Sequence, residues 1–411
     1  MRLGWPRPED LRADLLAGLT VAVVAIPQAL AYAQLAGVPP HLGLYAACIP
    51  ALVAALFGAS AQLSTGPVAL TALLTASSLT GLASPGSPRW IELTALLALG
   101  AGLMQCFAGL TRLGRWVEQL PAALMLGFVN AAALLIITSQ LPALLGVARP
   151  PDRGSLAALW AAWRGQVPFH PPGLAFGLGA VLALMALQGR WPRSPAALLV
   201  VAGTLVLSAT LDFSASGAVV GPLPHAITVA ALPQPDLATV WALAPAMCTV
   251  AAISFLEVTS SARVIAAHTG QVWQVNQELV GQGLAKIASG LIGTFPVSGS
   301  FSRSAINLSA GARSAGASVF CALLVGVALL YAGDLLKPLP VAVLAALIVT
   351  TVARLLSPLA LIALWREHPG EARIALVTLV STLLSAPDIH YGLLLGLAAL
   401  GLQSWLADRS R

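Results

Sequence analysis

Runs of about 17–25 apolar residues recur along almost the whole chain, each long enough to cross a hydrocarbon core roughly 30 Å thick as an α-helix. That repetition excludes a single-anchor protein and points to a polytopic helical bundle. Of the 411 residues, 58% are hydrophobic and 9% charged, where a soluble globular domain carries roughly 25% charged residues. The first run follows Glu9, Asp10, Arg12 and Asp14 and has no small-residue cleavage site after it. It therefore reads as a retained helix rather than a signal peptide.

Fourteen spans are predicted, at 15–36, 43–58, 66–80, 92–111, 122–146, 172–188, 194–211, 239–262, 278–293, 302–311, 316–333, 338–353, 373–386 and 389–406. Those at 66–80 and 302–311 are too short for a full crossing at ~1.5 Å per residue. Each follows a proline-containing stretch, so both are expected to be half-helices that begin inside the membrane. With the N-terminus in the cytoplasm, the inner side collects Arg2, Arg7, Arg12, Arg112, Arg115, Arg190, Arg193, Arg263, Arg313, Arg354, Arg366, Arg373, Arg409 and Arg411. The outer side keeps Arg89, Arg149, Arg153, Arg164 and Lys337. This split follows the positive-inside tendency, and the even number of spans puts both termini in the cytoplasm, as expected of a multi-pass protein of the inner (plasma) membrane. Lys286 and Arg303 are left at membrane depth. The longer segments, 147–171 and 212–238, hold no soluble domain.

An internal repeat is visible in two coincident pairs. Gln28, after Pro27 in the first span, and Glu257 in the eighth are 229 positions apart, as are Pro67-Val68 before the third span and Pro296-Val297 before the tenth. An offset of seven spans, an odd number, makes the halves insert with opposite orientation, repeat 1 covering about 12–211 and repeat 2 about 239–406.

A formal charge of +6 could serve nucleic acid, but the nineteen arginines and two lysines are scattered rather than clustered, so no nucleic-acid partner is expected. Cys48, Cys106, Cys248 and Cys321 show no CxxC spacing, and His41, His170, His225, His268, His368 and His390 show no ligand spacing. Neither zinc nor a disulfide framework is implied. No HExxH, GxSxG, Walker loop or dinucleotide fingerprint occurs, so the chain has no catalytic constellation and nothing to hydrolyse ATP. Transport would have to run on a gradient.

In hydrocarbon a broken helix survives only where it is buried in protein or lines a hydrated cavity, so the breaks point to the site. Ser64-Thr65-Gly66-Pro67-Val68-Ala69 leads into the third span, and Thr294 to Arg303 leads into the tenth. Two half-helix amino ends facing one another would make an anion site without a metal. Gly66-Pro67 taken alone fits a simple loop. Ser298, Ser300, Ser302 and Ser304, alternating beside Arg303, fit a hydroxyl-lined anion cradle better than a small-residue helix interface. Glu257, with Ser261 one turn further on, is the candidate ion-coupling position. Burial disfavours an ionised carboxyl while a nearby arginine favours it, so Glu257 reads equally as a coupling acid or as half of a permanent salt bridge with Arg303 or Lys286. Gln28 could donate to a substrate or satisfy the carbonyl freed by Pro27. Lys286 is expected to pair with an acid or to snorkel.

These residues resemble the SulP family of sulfate permeases and related anion transporters. Ile26-Pro27-Gln28-Ala29-Leu30-Ala31-Tyr32-Ala33, Leu35-Ala36-Gly37-Val38-Pro39-Pro40 and Gly43-Leu44-Tyr45, through Phe57-Gly58 to Gly66-Pro67-Val68-Ala69, are similar to the family's first-to-third-span signature. Asn276-Gln277-Glu278-Leu279, Gly283-Leu284-Ala285 and Pro296-Val297 through Ser300-Phe301-Ser302-Arg303-Ser304-Ala305-Ile306-Asn307 are similar to its ninth and tenth spans. The resemblance implies a fourteen-helix, seven-plus-seven inverted repeat shared with uracil permeases, divided into a substrate-carrying core and a gate. It implies an anion held by Val68, Ala69, Phe301, Ser302 and Arg303, with Gln28 nearby and Glu257 linked to cation coupling. Elevator-like motion and dimers are further expectations. Most members also carry a C-terminal STAS domain; this chain stops just after its last span, so a separate STAS-type polypeptide would have to supply that regulator. The expected activity is proton- or sodium-coupled symport of sulfate, with bicarbonate or a dicarboxylate close behind and an uncoupled exchanger or channel as the alternative. No cofactor is expected beyond the coupling ion, H+ or Na+. A nucleobase permease would need an acid on the tenth span, where this chain has Arg303.

Overall fold

The computed structural model describes residues 8–114, 121–148, 154–191, 195–224 and 236–409. Of the cations counted above, Arg2, Arg7, Arg115, Arg149, Arg153, Arg193 and Arg411 lie outside the described residues, as do residues 225–235 of the 212–238 segment, His225 among them. The described helices are α1 (Leu11–Leu35), α2 (Pro40–Phe57), α3 (Ala69–Leu79), α4 (Pro88–Leu110), α5 (Ala122–Leu144), α6 (Ser155–Trp163), α7 (Pro171–Arg190) and α8 (Ala196–Thr210). They continue as α9 (Leu237–Thr269), α10 (Val275–Leu291), α11 (Phe301–Ser309), α12 (Gly316–Tyr331), α13 (Gly333–Leu336), α14 (Val341–Val352), α15 (Pro358–Glu367), α16 (Pro369–Leu384) and α17 (His390–Arg409). Two short strands, β1 (Thr65–Gly66) and β2 (Ser298–Gly299), precede α3 and α11.

Each of the fourteen predicted spans corresponds to one of these helices; α6, α13 and α15 are additional. By length and composition, α1, α2, α4, α5, α7, α9 and the 341–367 stretch holding α14 and α15 could each cross a membrane. The third and tenth spans are half-length, α3 with 11 residues and α11 with 9. α3 begins two residues after Pro67, with β1 on the other side of that proline, whereas β2 lies between Pro296 and the start of α11 at Phe301. Neither Pro27 nor Glu257 breaks its span, since α1 and α9 run continuously past them. Where α9 leaves the polar edge, the Asp236 side chain accepts the Thr239 N–H at 3.3 Å, and hydrogen bonds from Thr239 hold its carboxyl below the usual carboxylate range.

The burial pattern is that of a protein solvated by lipid. Phe107, Leu110, Leu182 and Trp241 are exposed, whereas Asp14, Gln105, Glu278, Gln282, Lys286, Arg303 and Asn307 are buried. α11 shows it most clearly, burying Arg303, Ser304 and Asn307 while leaving Phe301 exposed. Polar groups turn inward because nothing in hydrocarbon can hydrogen-bond them.

Packing sorts the helices into two bundles. α1–α4 and α9–α12 form the first, with α4 against α10, α1 against α12 and α10 against α2 as its main seams. α5–α8 and α14–α17 form the second, built on α5 with α16, α16 with α17, and α14 with α5 and α7. Between the bundles the main contacts are α1 with α14 and α8, α3 with α5, and α9 with α17. The α4–α10 seam depends on missing side chains. A Cβ on Gly102 would lie 2.7 Å from the Gly283 carbonyl oxygen, and one on Gly283 2.6 Å from Cys106 Sγ. Such close backbone approach is how helices associate when lipid removes the hydrophobic drive.

Candidate functional site

The two interrupted segments meet inside the first bundle. β1 and β2 pair antiparallel, Thr65 opposite Gly299 and Gly66 opposite Ser298. The pairing is extended by the Ser300 N–H donating to the Ser64 carbonyl at 2.8 Å and the Ser64 N–H donating to Ser304 Oγ at 2.9 Å. Thus the chain immediately before each half-helix is satisfied by the other, which is the condition for irregular backbone at membrane depth. Ser298 is buried and its Oγ donates to the Ser254 carbonyl of α9 at 3.0 Å, fastening β2 to that helix.

The two amino ends are finished differently. At α11, Ser300 is the N-cap, its Oγ accepting the Arg303 N–H at 3.3 Å and lying 3.4 Å from Ser302 Oγ. At α3 the N-cap position is Val68, with no side-chain cap, so the N–H groups of Ala69, Leu70 and Thr71 have no intrahelical acceptor. Val68 and Ala69 are buried, and Phe301 and Ser302 are exposed.

Arg303, 2% exposed, bridges these ends. Its Nη1 donates to the Pro67 carbonyl at 2.8 Å and to Gln28 Oε1 at 3.4 Å, while Nη2 is buried without a partner. Gln28 is accordingly engaged with Arg303 through its Oε1. A Cβ on Gly66 would sit 3.2 Å from Nη2, so glycine there keeps the space in front of the guanidinium open. An unpartnered guanidinium N–H beside uncapped helix N–H groups is a donor set with no carboxylate to fill it, and it suits a small oxyanion.

Glu257 and Ser261 lie one turn apart on α9, and Glu257 Oε2 and Ser261 Oγ are both buried without a hydrogen-bond partner. Among the described residues no cation forms an ion pair with Glu257: Arg303 is committed to Pro67 and Gln28, and Lys286 Nζ donates to Gln105 Oε1 at 3.0 Å. The expectation for Lys286 needs correction, because it neither pairs with an acid nor snorkels; it is wholly buried against a neutral amide. Gln105 was not singled out from the sequence. For Gln105 the signal was present, a lone amide in an apolar span, the same signal that drew attention to Gln28. Ser64 lay in the interrupted segment and Ser304 in the serine alternation, but nothing local said that they would bond to each other.

Comparison with known proteins gives the family and the fold. The model of the sulfate permease family matches residues 11–378. A probable sulfate transporter of Mycobacterium tuberculosis is 35% identical over 390 residues, covering 94% of this chain and 69% of its own length. Sulfate transporter 4.1, chloroplastic, of Arabidopsis thaliana is 32% identical over 397 residues, covering 94% of this chain and 57% of its own length. Among solved structures, the transmembrane domain of the cyanobacterial bicarbonate transporter BicA aligns with a TM-score of 0.84 at 24% identity, covering 93% of this chain and 98% of that domain. The murine anion transporter solute carrier 26 family member A9, in its inward-facing state, aligns with a TM-score of 0.89 at 21% identity, covering 98% of this chain and 70% of that one. At these identities the two structures speak for the fold alone.

Proposed function

Because the chain belongs to the sulfate permease family, we propose that it is a secondary active carrier that moves sulfate, or a related small anion such as bicarbonate or a dicarboxylate, in symport with a cation. The reading rests on one observation above all: Arg303, with Nη2 unpartnered, stands where two half-helix amino ends are tied together by the β1–β2 pair. A fixed cation and converging N–H groups bind an anion without requiring a metal.

Two further features support the mechanism. Both half-helices belong to one bundle, so the anion would ride with that bundle as it slides past the other, an elevator-like motion of core against gate. Glu257, half-buried with its Oε2 enclosed and bonded to no cation, is able to bind and release a cation of its own, and a lone carboxyl most simply takes a proton. The arginine distribution favours both termini in the cytoplasm and residence in the inner (plasma) membrane; a homodimer completes the proposed assembly.

The test is uptake of labelled sulfate by proteoliposomes, with bicarbonate and fumarate as competitors, with and without an imposed pH gradient. An inward proton gradient should stimulate the wild type, and Glu257→Gln should abolish the stimulation while leaving exchange of internal for external anion intact. Identical gradient dependence in the two proteins would remove Glu257 from coupling, and the absence of uptake for all three anions would sink the substrate class.

A further inference from the structure

α10 carries polar side chains at four-residue spacing, Glu278, Gln282 and Lys286, all on one face and all buried in the first bundle. The stripe starts at the membrane face where α2 ends. There the Glu278 carboxylate accepts the Ala59 N–H at 2.8 Å, the Ser60 N–H at 3.0 Å and Gln282 Nε2 at 2.9 Å. A small cavity lined by Ala59, Ser60, Ala262, Ile265 and Trp273 opens beside it. Gln282 Nε2 reaches on to Thr65 Oγ1 at 2.8 Å, and its Oε1 is buried without a partner.

Lys286, one turn deeper, uses one of its donors on Gln105 Oε1. Gln105 Nε2 continues to the Ala251 carbonyl at 2.6 Å and to Ser254 Oγ at 3.0 Å, which brings the chain of polar groups onto α9 one turn before Glu257. The groups acting electrostatically on Lys286 are Glu257 and Glu278 together with the Cys106 thiol of α4. Those acting on Glu257 are Ser298, Lys286 and Arg303, and Tyr32 of α1 faces it as well. A primary amine and an ammonium both satisfy the single bond to Gln105, and no donor is committed to Glu257 Oε2, so either group fits its pocket with or without a proton.

We propose that Lys286 and Glu257 form a buried proton-exchange pair, and that the proton accompanying the anion occupies them in turn, entering along the Glu278–Gln282 face of α10. This rests on the proton-coupled reading above and adds a second carrier to it. The step conserves charge: Lys286 and Glu257 make no ion pair, so one intervening water takes the ammonium's proton as it hands its own to the Glu257 carboxylate, the N–H bond breaks as the O–H bond forms, and a neutral amine, a neutral acid and the water remain. The competing role for Lys286 is a fixed charge that never releases its proton.

Lys286→Arg and Lys286→Gln separate the two roles, because arginine keeps the charge but holds its proton throughout. The intact chain would be reconstituted and assayed for gradient-free anion exchange and for pH-gradient-driven uptake of whichever of sulfate, bicarbonate or fumarate ranks first in the competition panel. Both variants should keep exchange within about threefold and lose gradient-driven uptake by about tenfold or more, a difference of roughly one decade in rate. Full gradient-driven uptake by Lys286→Arg overturns the proposal in favour of the fixed charge. Should a Lys286 variant support no exchange, Gln105→Met takes its place by removing the amine's acceptor. Its gradient-driven uptake should show a displaced pH profile, and an unmoved profile overturns the proposal. A wild type indifferent to pH gradients defeats both readings; a responsive wild type with equally responsive variants defeats only this one.

Discussion

α3 and α11 occupy equivalent places in the fold, each a half-helix behind a two-residue strand, yet they are equipped in opposite ways. α3 starts buried and uncapped, offering backbone N–H groups and no charge. α11 starts with a serine cap, carries Arg303 one turn in, and leaves Phe301 and Ser302 exposed. Backbone dipoles at one helix end contribute about 0.3–1 kcal/mol when exposed and up to ~2 kcal/mol when partly buried, whereas a desolvated guanidinium facing an anion acts through charge-assisted hydrogen bonds roughly twice as strong as neutral ones. The arrangement therefore divides labour: α11 supplies affinity, and α3 supplies shape and fine adjustment.

The strongest way to break that comparison is to take the charge from α11. Removing one partner of a buried charged contact costs about 3–5 kcal/mol, and Arg303→Gln should lower uptake efficiency by about a hundredfold or more. It should also free the Pro67 carbonyl and Gln28 Oε1, so part of the loss will appear as lower thermal stability in detergent. Concentration-dependent uptake separates the two contributions. Efficiency within a few fold of the wild type would show that the N–H groups, not Arg303, hold the anion.

A smaller effect tests the cap. Ser300→Ala leaves the Arg303 N–H without its acceptor, at a cost of about 1 kcal/mol. The variant should lower the apparent melting temperature and weaken anion binding together, by about fivefold, because α11 frays where the anion sits. Calorimetric titration beside a melting curve reads both, and a change in one alone would separate the cap from the site.

How much of this was legible beforehand follows the same physics. Hydrocarbon demands long apolar runs, so the fourteen spans could be found. It also makes each polar exception conspicuous, so Gln28, Glu257 and Arg303 stood out before any contact was known. α15 was missed because its ten residues fall below the length of a crossing, and α6 because a nine-residue helix hides in what reads as a loop. The β1–β2 pair was out of reach for another reason: two-residue strands more than two hundred positions apart have no periodicity to reveal them. Lys286 was misread because an intramembrane cation is expected to seek an acid, and nothing in the α4 sequence says that Gln105 faces it instead.

The finest test returns to α3, where affinity and stability should move in opposite directions. Val68 is the N-cap residue, buried, with a side chain unable to accept a hydrogen bond. Val68→Thr nearly preserves its shape and adds a hydroxyl that can take the N–H of Leu70 or Thr71, the usual service of a threonine cap. That bond satisfies a donor which an uncapped helix otherwise leaves to the anion. The variant should melt no lower than the wild type, yet bind anion about threefold more weakly, a loss of roughly 0.7 kcal/mol. If α3 is only a structural prop, the same substitution leaves anion binding unchanged, and the division between the two half-helices reduces to Arg303 alone.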